Sequence, residues 1–378
     1  MILTKRNRIH NMLESLGIKL AAFSILILIS ACNGKEISPS ETQENNSANK
    51  DQLTTHTGTF NVLDYGAIGD DKTDNTEAFS ACLKAVVNAG GGRMYLPDGV
   101  YRGRILIPAV SKPLPSWITV EIVGESEPTP VFGTIGSFPL RNKGSIIKCQ
   151  SPTGAAVISA SASTNALYGE FSAVNVVIKN LDVRTYNDPG IGGIDLHYAM
   201  QCKIENVFIN TDVYNVQASK PSHGTSGLIT PACNNAALTI VRNVVVTGYH
   251  TGILVNEHTD GDNINLASNY NGLEFVFAHH ASRFGRVGAQ RCTNAVTVTG
   301  QHGFSIEQLD MEIAGKDQTD DNNEWQATVY NLNDPKNLGM ADINYWVVEG
   351  NVGATEAFKR IGGASIQARR IGSKSNPN

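Results

Sequence analysis

A short segment of alternating apolar residues recurs along the chain, each time with an amide side chain at the same point. Three clear copies lie at residues 177–183, 203–209 and 241–246, and a weaker copy lies at 304–311. The shared position is held by Asn180, Asn206, Asn243 and Gln308. Alternation indicates strands with one buried face, and repetition at this period indicates stacked coils. Because an asparagine at a turn can bond the coils above and below it, the pattern predicts an amide ladder.

A second series of segments alternates with the first, and each member begins with a glycine. These glycines are Gly193, Gly227, Gly252 and Gly272, and a short apolar strand follows each. The two series together predict two sheets of a β-helix, with glycine where the chain bends. Successive copies lie about 20 to 37 residues apart, and the longest interval contains residues 220–224, which we interpret as a loop insertion.

A β-sandwich, or two smaller β domains, is the alternative architecture. It requires tight hairpin turns between consecutive strands. Asp98-Gly99, Asp260-Gly261 and Asn271-Gly272 are dipeptides of the required type, but they do not space a regular meander. The sequence therefore favours the β-helix.

The N-terminus has the pattern of an export signal. Lys and Arg residues precede an apolar run at 20–29, which is too short to span a bilayer in the mature protein. Small residues then lead directly to Cys32, a pattern that resembles the bacterial lipobox. We expect an exported bacterial lipoprotein, acylated on Cys32 and held at the outer membrane, on its periplasmic or cell-surface face, by the lipid alone. An ordinary secretory signal with an incidental Cys32 is the alternative.

Changes in composition along the chain predict its domain organisation. We expect a signal peptide at 1–31, a polar flexible tether at 32–58, a β-helix domain at 59–372 and a disordered tail at 373–378. From about Asp317 the sequence departs from the repeat, and we expect a cap or lid there.

Charge and cysteine content exclude little. The formal net charge is −5 and there is no basic patch, so nucleic acid is not an expected partner. The five cysteines other than Cys32 show no metal-ligand spacing. Disulfides and buried free thiols both remain open.

Two further segments carry a family resemblance. Residues 60–79 read FNVLDYGAIGDDKTDNTEAF, and residues 90–101 read GGGRMYLPDGVY. This arrangement is similar to the opening segment of pectate-lyase-superfamily proteins, which include polygalacturonase-like glycosidases and phage tailspikes. The resemblance implies an all-β, right-handed parallel β-helix with an N-terminal capping helix. We expect that helix at about 77–88, capped by Asn75 or Thr76 and amphipathic through Phe79, Leu83 and Val87.

The resemblance says little about activity, because this segment is structural and the superfamily supports several chemistries. Polygalacturonases use clustered aspartates in several short motifs. Only Asn210-Thr211-Asp212 and Gln301-His302-Gly303 approximate two of them, so that mechanism is doubtful. Lyases on this scaffold need a cation or an arginine to neutralise the uronate carboxylate, and a base to remove the C5 proton.

Candidate catalytic residues come from the second strand series and from the polar region 250–291. They are Asp195, His197, Glu257, His258, Arg283 and Arg286. Alternation places Ile194 and Leu196 inward and Asp195 and His197 outward, with Asn256 and Glu274 outward on later coils. Asp195 and Glu274 would be about 14 Å apart at the spacing of stacked strands. That distance exceeds the ~5–9.5 Å of a glycosidase pair, so Glu257 or Asp260 would be a nearer partner.

A cation site is the remaining candidate. Asp260 and Asp262 place hard oxygen ligands in a predicted turn that could hold Ca²⁺, and an exposed acidic turn without metal is the alternative. No cofactor other than this calcium is expected. Arg283 and Arg286, with His279 and His280, form either an anionic-sugar site or a positive loop without a ligand.

Three functions are compatible with these features. The first is a carbohydrate-active enzyme that cleaves a polysaccharide, in our expectation an acidic one, by β-elimination or by glycoside hydrolysis. The second is a non-catalytic glycan-binding lipoprotein, and the third is a structural or adhesive surface protein. Ca²⁺ dependence and an ultraviolet-absorbing product would separate a lyase from a hydrolase.

Overall fold

The computed structural model describes most of the residues from Gly58 to Lys374. The described ranges are 58–110, 117–128, 143–149, 156–163, 172–185, 192–211, 225–232, 238–276, 282–290, 292, 294–298 and 304–312, with the backbone of strands at 328–330, 340–349, 359–361 and 365–374. All belong to one structural unit, Leu53–Asn378. The predictions for the signal peptide, Cys32, Cys233, His279, His280 and His302 lie outside these residues.

Two parallel sheets form the body of the described part of the chain, with the long strands between residues 59 and 374 and the short strands between residues 105 and 298. The main path of the long-strand sheet contains β1 (Thr59–Asn61), β3 (Gly92–Leu96), β6 (Ile118–Gly124), β9 (Val174–Thr185), β11 (Cys202–Thr211), β13 (Thr239–Thr247), β15 (Thr259–Ala267), β17 (Ser282–Gln290), β19 (Phe304–Glu312), β21 (Met340–Glu349) and β23 (Ser365–Lys374). A branch of β2 (Asp70–Asp74), β4 (Gly99–Arg102) and β7 (Ser145–Cys149) joins it at β9.

The short-strand sheet stacks one strand from each of seven coils. Its members are β5 (Ile105–Ile107), β8 (Ile158–Ala160), β10 (Ile194–Asp195), β12 (Ser226–Ile229), β14 (Thr251–Val255), β16 (Asn271–Phe275) and β18 (Asn294–Val298). A separate parallel pair is β20 (Thr328–Tyr330) with β22 (Lys359–Ile361). From β8 onward each short strand is followed by a long strand, and the fold is a right-handed parallel β-helix, as predicted.

Strands β9, β11 and β13 bend at the asparagines that the sequence singled out. Asn180, Asn206 and Asn243 have φ values of 56°, 56° and 52°, and Asn263 joins them with φ 51°. Asparagine tolerates this left-handed conformation better than most residues. The residues before the bend in β9 pair with β6 and those after it pair with β7, so the bend divides the sheet into two faces.

The amides at these bends form the predicted ladder. Nδ2 of Asn206 donates to Oδ1 of Asn180 at 3.2 Å, Asn243 donates to Asn206 at 3.0 Å, and Asn263 donates to Asn243 at 2.9 Å. The column continues through Arg286 to Gln308, which are register partners. Gln308 therefore holds the predicted position, whereas Asn263 is a ladder member that the sequence reasoning missed.

The predicted glycine series forms a column of its own at the start of the short strands. A Cβ on Gly227 would lie 2.2 Å from Cγ1 of Val246 and 2.9 Å from the carbonyl oxygen of Gly252. A Cβ on Gly252 would meet the carbonyl of Gly272 at 2.8 Å. Each coil therefore approaches its neighbour too closely for a side chain at this corner.

One helix closes the start of the core. Helix α1 (Thr76–Asn88) contacts β1, β3 and β5, and it buries Phe79, Cys82, Leu83 and Val86. The predicted amphipathic face is confirmed, with Val86 rather than Val87 fully buried.

Asn75 is the N-cap residue of this helix, as one of the two predicted alternatives had it, but its side chain does not make the capping bond. Oδ1 of Asn75 accepts from Ile68 N–H, and its Nδ2 donates to backbone carbonyls. Oδ1 of Asp74 instead accepts from the backbone N–H of Thr76 at 2.9 Å.

Aspartates of the opening motif fix the turn before the helix. Oδ1 of Asp70 accepts the backbone N–H groups of Thr73 and Lys72, and these bonds hold the pKa of its carboxyl below the usual range. Asp71 lies in the left-handed region, with φ 57°, and bridges Arg102 at 3.1 Å and Lys148 at 3.2 Å. The motif thus ties the first strands to the later coil that contains Lys148.

The C-terminal expectation needs correction. We expected the sequence to depart from the repeat at about Asp317. Instead the long-strand sheet continues, since β21 pairs with β19 and β23 pairs with β21 in continuous register. The repeat went unrecognised because the ladder column there contains Tyr345 and Arg370 instead of an amide. Strand β23 also extends through Ser373 and Lys374, which were assigned to the disordered tail.

No helix in the described part of the chain is long and apolar enough to cross a bilayer.

The four described cysteines, Cys82, Cys149, Cys202 and Cys292, are buried and free. Burial raises the pKa of the Cys82 and Cys292 thiols to about 12, and that of Cys202 rises for the same reason. Of the two alternatives left open by the sequence, free thiols therefore apply to these four residues.

Replacing Asn206 by alanine should destabilise the fold by about 2–4 kcal/mol, through left-handed backbone strain and the loss of two ladder bonds. Asn206→Gly is the matched control. Because glycine removes the amide but accepts positive φ, this variant should lose only about 1–2 kcal/mol of unfolding free energy. Urea unfolding of both variants measures the difference. Equal midpoints for the two would show that the bend imposes no strain on alanine.

The raised thiol pKa values predict slow alkylation by iodoacetamide at pH 8, because only the thiolate form reacts. We expect the thiols of Cys82, Cys202 and Cys292 to stay unlabelled in the native protein and to react fully in denaturant. Peptide mass mapping reads each site separately. Rapid labelling in native buffer would contradict the buried placement.

Candidate active site

The outward face of the short-strand sheet presents one side chain from the middle of each coil. In register, these residues are Leu106, Ser159, Asp195, Ile229, Leu254, Glu274 and Thr297. We call this set the central column. Its neighbours on each strand, such as Ile194 and Leu273, are fully buried in the core. The column therefore forms the floor of the surface that the sequence analysis proposed as the site.

Asp195 lies on this face, as alternation predicted, and His197 lies in the turn that follows β10. Ile194 and Leu196 are 0 % exposed, while Asp195 and His197 are half-buried. Oδ1 of Asp195 accepts the backbone N–H of His197 at 2.9 Å, and the backbone carbonyl of His197 accepts from Ala232 N–H on the next coil at 3.1 Å. The His197 ring meets the Tyr198 ring edge-on, with centroids 4.8 Å apart. The Asp195 carboxylate therefore fixes the backbone of the turn that bears the His197 side chain, at the corner where β10 ends.

Glu274 shares the central column with Asp195, three coils further on. Oε2 of Glu274 accepts from Thr251 Oγ1 at 2.6 Å and from Asn271 Nδ2 at 3.2 Å. Ile229 and Leu254 occupy the column between the two acids. Three strand spacings amount to about 14 Å. The register thus confirms the coil count from which we concluded that Asp195 and Glu274 are not a hydrolytic pair.

Asn256 and Glu257 are far less accessible than the sequence suggested. Asn256 is 4 % exposed, and its backbone N–H and Nδ2 bind Thr230 at 2.9 and 2.7 Å. The expectation that Asn256 lines the groove is therefore wrong, because corner residues do not follow strand alternation. Glu257 is 1 % exposed, two coils from Asp195. The catalytic role predicted for Glu257 stays a prediction.

His258, Asp260 and Asp262 belong to the long-strand sheet or its edge. His258 is half-buried immediately before β15. Asp260 and Asp262 are exposed residues within that strand and not in a turn, so the predicted local structure is wrong. Apolar alternation is lost there because Gly261 takes the inward position, and Phe284 of the next coil fills the space where its Cβ would lie.

The two arginines stand beside these acids and not beside Asp195. Arg283 is the register partner of Asp260. Oδ1 of Asp262 accepts the backbone N–H of Arg286 at 3.3 Å, and Nε of Arg286 donates to Asp310 at 3.1 Å. The predicted catalytic set is thus divided between two sheets.

The predicted calcium site has no further support from the described residues. Among them, no group of three or more His, Cys, Asp or Glu side chains has a geometry suited to a metal ion. The calcium role of Asp260 and Asp262 stays a prediction.

Two aromatic residues at the opposite corner were not combined by the sequence reasoning. His250 and Tyr270 precede β14 and β16, and their rings stack at 5.1 Å with 24° between planes. Tyr270 is 39 % exposed. Each of the two residues stands two positions before a glycine of the repeat, and this shared spacing could have identified the pair. Trp117, by contrast, packs against the core.

Asn210 and Thr211, of the partial polygalacturonase motif, end β11 in the long-strand sheet. Asn210 is 6 % exposed and donates to Asp182 at 3.1 Å. This placement agrees with the rejection of that motif as a catalytic signal.

Comparison with known proteins gives short sequence matches to curated relatives. Alginate lyase 7 of Azotobacter vinelandii is 56% identical over 43 residues, which are 11% of this chain and 5% of that protein. Mannuronan C5-epimerase AlgE3 of the same organism is 54% identical over 43 residues, 11% of this chain and 2% of that protein. The match therefore spans only a small part of the relatives' length.

Solved structures resemble a larger share of the chain. The A-module of A. vinelandii mannuronan C-5 epimerase AlgE4 has a TM-score of 0.44 at 16% identity, and the match covers 85% of this chain and 98% of that one. An exopolygalacturonase from Thermotoga maritima has a TM-score of 0.37 at 11% identity, with 84% and 91% covered.

A family model described as "Rhamnogalacturonase A/epimerase, pectate lyase-like" matches residues 59–297. The matched region contains the opening motif, the amide ladder and the central column. It covers more than half of the chain, so the protein belongs to the rhamnogalacturonase A/epimerase, pectate lyase-like family of carbohydrate-active proteins.

Proposed function

We propose that the protein acts on an acidic polysaccharide by removing the C5 proton of a uronic acid residue bound over the central column. The observation that carries this proposal is that the outward-facing Asp195 fixes the turn that bears His197, directly after β10. Oδ1 of Asp195 binds the backbone N–H of His197. His197 acts as the base, and Asp195 positions the short turn that presents it.

Proton removal at C5 is the first step of two related reactions. Loss of the leaving group at C4 after that step gives chain cleavage by β-elimination, and return of a proton to the opposite face gives the C5 epimer. The names of the matched relatives, alginate lyase and mannuronan C5-epimerase, describe these two outcomes. A positioned general base contributes about 10²–10⁴-fold to such a step.

Hydrolysis receives less support from the geometry. An inverting or retaining pair requires two carboxyl groups within about 5–9.5 Å. The second acid of the central column, Glu274, is three coils from Asp195, and Glu257 is buried.

Neutralisation of the substrate carboxylate is the remaining requirement. The described residues of the central column include no Lys or Arg. A bound cation such as Ca²⁺ would meet this need, so we expect activity to depend on it.

The outer-membrane location, on the periplasmic or cell-surface face, is also a proposal. We propose an exported bacterial lipoprotein of the outer membrane, acylated on Cys32, because small residues lead from an apolar run directly to that cysteine. Cys32→Ser should move the protein from the membrane to the soluble fraction and abolish incorporation of a labelled fatty acid. A wild-type protein recovered soluble and without an acyl mass would contradict the anchor.

The reaction is tested on uronate polysaccharides and neutral controls, with and without Ca²⁺. Ultraviolet absorbance reports unsaturated product, a colorimetric assay reports new reducing ends, and NMR in D₂O reports deuterium at C5. We expect absorbance with reducing ends for a lyase, or deuterium without cleavage for an epimerase. Reducing ends without absorbance would indicate hydrolysis, and binding without any product would leave a glycan-binding protein; either result contradicts the proposal.

Variants locate the chemistry. His197→Gln should lower the rate at least about 100-fold, in keeping with loss of a general base, with little change in KM. Asp195→Asn keeps an oxygen acceptor for the His197 N–H and should lose less. Lys84→Gln, exposed on α1, is the control for a charge change away from the site. Full activity in His197→Gln would show that His197 is not the base.

A further inference from the structure

The corner opposite His197 combines an aromatic surface with a hydrogen-bonded carboxylate. Each short strand is preceded by a corner residue that lies in register with those of adjacent coils. His250 and Tyr270 occupy this position on two successive coils, since the backbone N–H of Tyr270 donates to Tyr249 and that of Asn271 donates to His250. Their rings stack at 5.1 Å, and Tyr270 remains 39 % exposed.

A chain of polar contacts links this aromatic pair to the central column. Nδ1 of His250 lies 3.4 Å from Thr251 Oγ1, which donates to Glu274 Oε2 at 2.6 Å. Asn271, the residue after Tyr270, donates from Nδ2 to the same Glu274 oxygen at 3.2 Å. Thr251 and Asn271 are almost completely buried, whereas Glu274 is half-buried on the outward face. The carboxylate is therefore held in one orientation beside the exposed tyrosine.

Asn271 is itself fixed from the following coil. Its Oδ1 accepts from Asn294 Nδ2 at 2.8 Å and from Thr297 Oγ1 at 3.1 Å. All these side chains belong to three adjacent coils, β14, β16 and β18. Binding to a surface organised in this way costs little ordering entropy, because its rotamers are fixed before a ligand arrives.

We propose that Tyr270, supported by His250, and Glu274 form a distal sugar-binding subsite of the same groove. One face of a pyranose ring lies on the Tyr270 ring, and a ring hydroxyl donates to the Glu274 carboxylate. This inference rests on the proposed function for the identity of the ligand as a polysaccharide. It goes further by assigning a second binding position that does not take part in the chemistry.

Electrostatics restricts which edge of the sugar this subsite accepts. Glu274 is the only acid of the central column on this side of Leu254 among the described residues. An ionised uronate carboxylate directed at it would be repelled, since like charges destabilise each other at short range. The subsite therefore takes the hydroxyl-bearing edge of a sugar residue, from either a neutral residue or a uronate oriented with its carboxylate away.

The position of the subsite predicts a dependence on chain length. Glu274 lies three coils from Asp195, about 14 Å along the stack, and Tyr270 stands at the opposite end of the short strands from His197, so His197 and Tyr270 are farther apart than that. An oligosaccharide bound at His197 that is too short to cover Ile229 and Leu254 does not reach Tyr270. Longer substrates gain affinity from it without a change in the chemical step.

The decisive measurement is binding affinity as a function of oligosaccharide length, in the His197→Gln background so that turnover does not interfere. We compare Tyr270→Ala with Tyr270→Phe, which keeps the ring. We expect Tyr270→Ala to bind the polymer and long uronate oligosaccharides roughly 3- to 10-fold more weakly, as expected for loss of one aromatic contact, and short ones equally. Tyr270→Phe should match the parent, and His250→Ala should lie between them.

Unchanged affinity of Tyr270→Ala at every length would overturn the subsite while the proposed reaction stands. An equal loss at every length would also overturn it, since the effect would then not be distal. Absence of turnover by the wild-type protein would refute the proposed reaction, and the binding series would still decide the subsite. Because Tyr270 is exposed, its variants should unfold at the parent's temperature, and Tyr270→Leu provides a second variant with an apolar side chain but no ring.

Discussion

The left-handed bend at the ladder asparagines is the constraint on which the rest of the structure depends. Before the bend β9 pairs with β6 and after it β9 pairs with β7, so the bend divides the sheet into two faces. The bend at Asn180, Asn206, Asn243 and Asn263 turns each strand at the same residue, and the amide bonds between them hold neighbouring coils in one register. Since side-chain direction alternates along a strand, this shared register decides which residues form each column.

The central column is a direct result of that register. Asp195 and Glu274 lie far apart in sequence, yet they fall on one line because each coil contributes one outward residue at the same point. A parallel β-helix thus converts sequence separation into distance along a groove. The chemistry proposed at His197 and the sugar contact proposed at Tyr270 lie three coils apart on this stack, at opposite ends of the short strands.

Features that repeat from coil to coil could be predicted from the sequence. The asparagine and glycine series, the inward Ile194 and the outward Asp195 follow from alternation within a repeated coil. The capping helix followed from its apolar spacing, together with the family resemblance of the opening segment.

Features that depend on compensation between coils could not be predicted. Strand β15 resembled an acidic turn because Gly261 stands at an inward position and Phe284, one coil later, fills its place. The burial of Asn256 and Glu257 depends on corner geometry, which strand alternation does not describe.

The amide ladder also has a direction. In each of its bonds the Nδ2 of the later coil donates to the Oδ1 of the earlier one, so the side-chain dipoles point the same way. Aligned dipoles polarise one another and add, as peptide groups do along a helix. Glu127 accepts from Nδ2 of Asn206 at 2.7 Å near the N–H end, and Arg286 follows Asn263 in the column at the oxygen end. The ladder therefore carries a net side-chain dipole along the stack of coils. A carboxylate lies near its N–H end, and an arginine is next in register after its oxygen end, which suits the partial charges of the two ends.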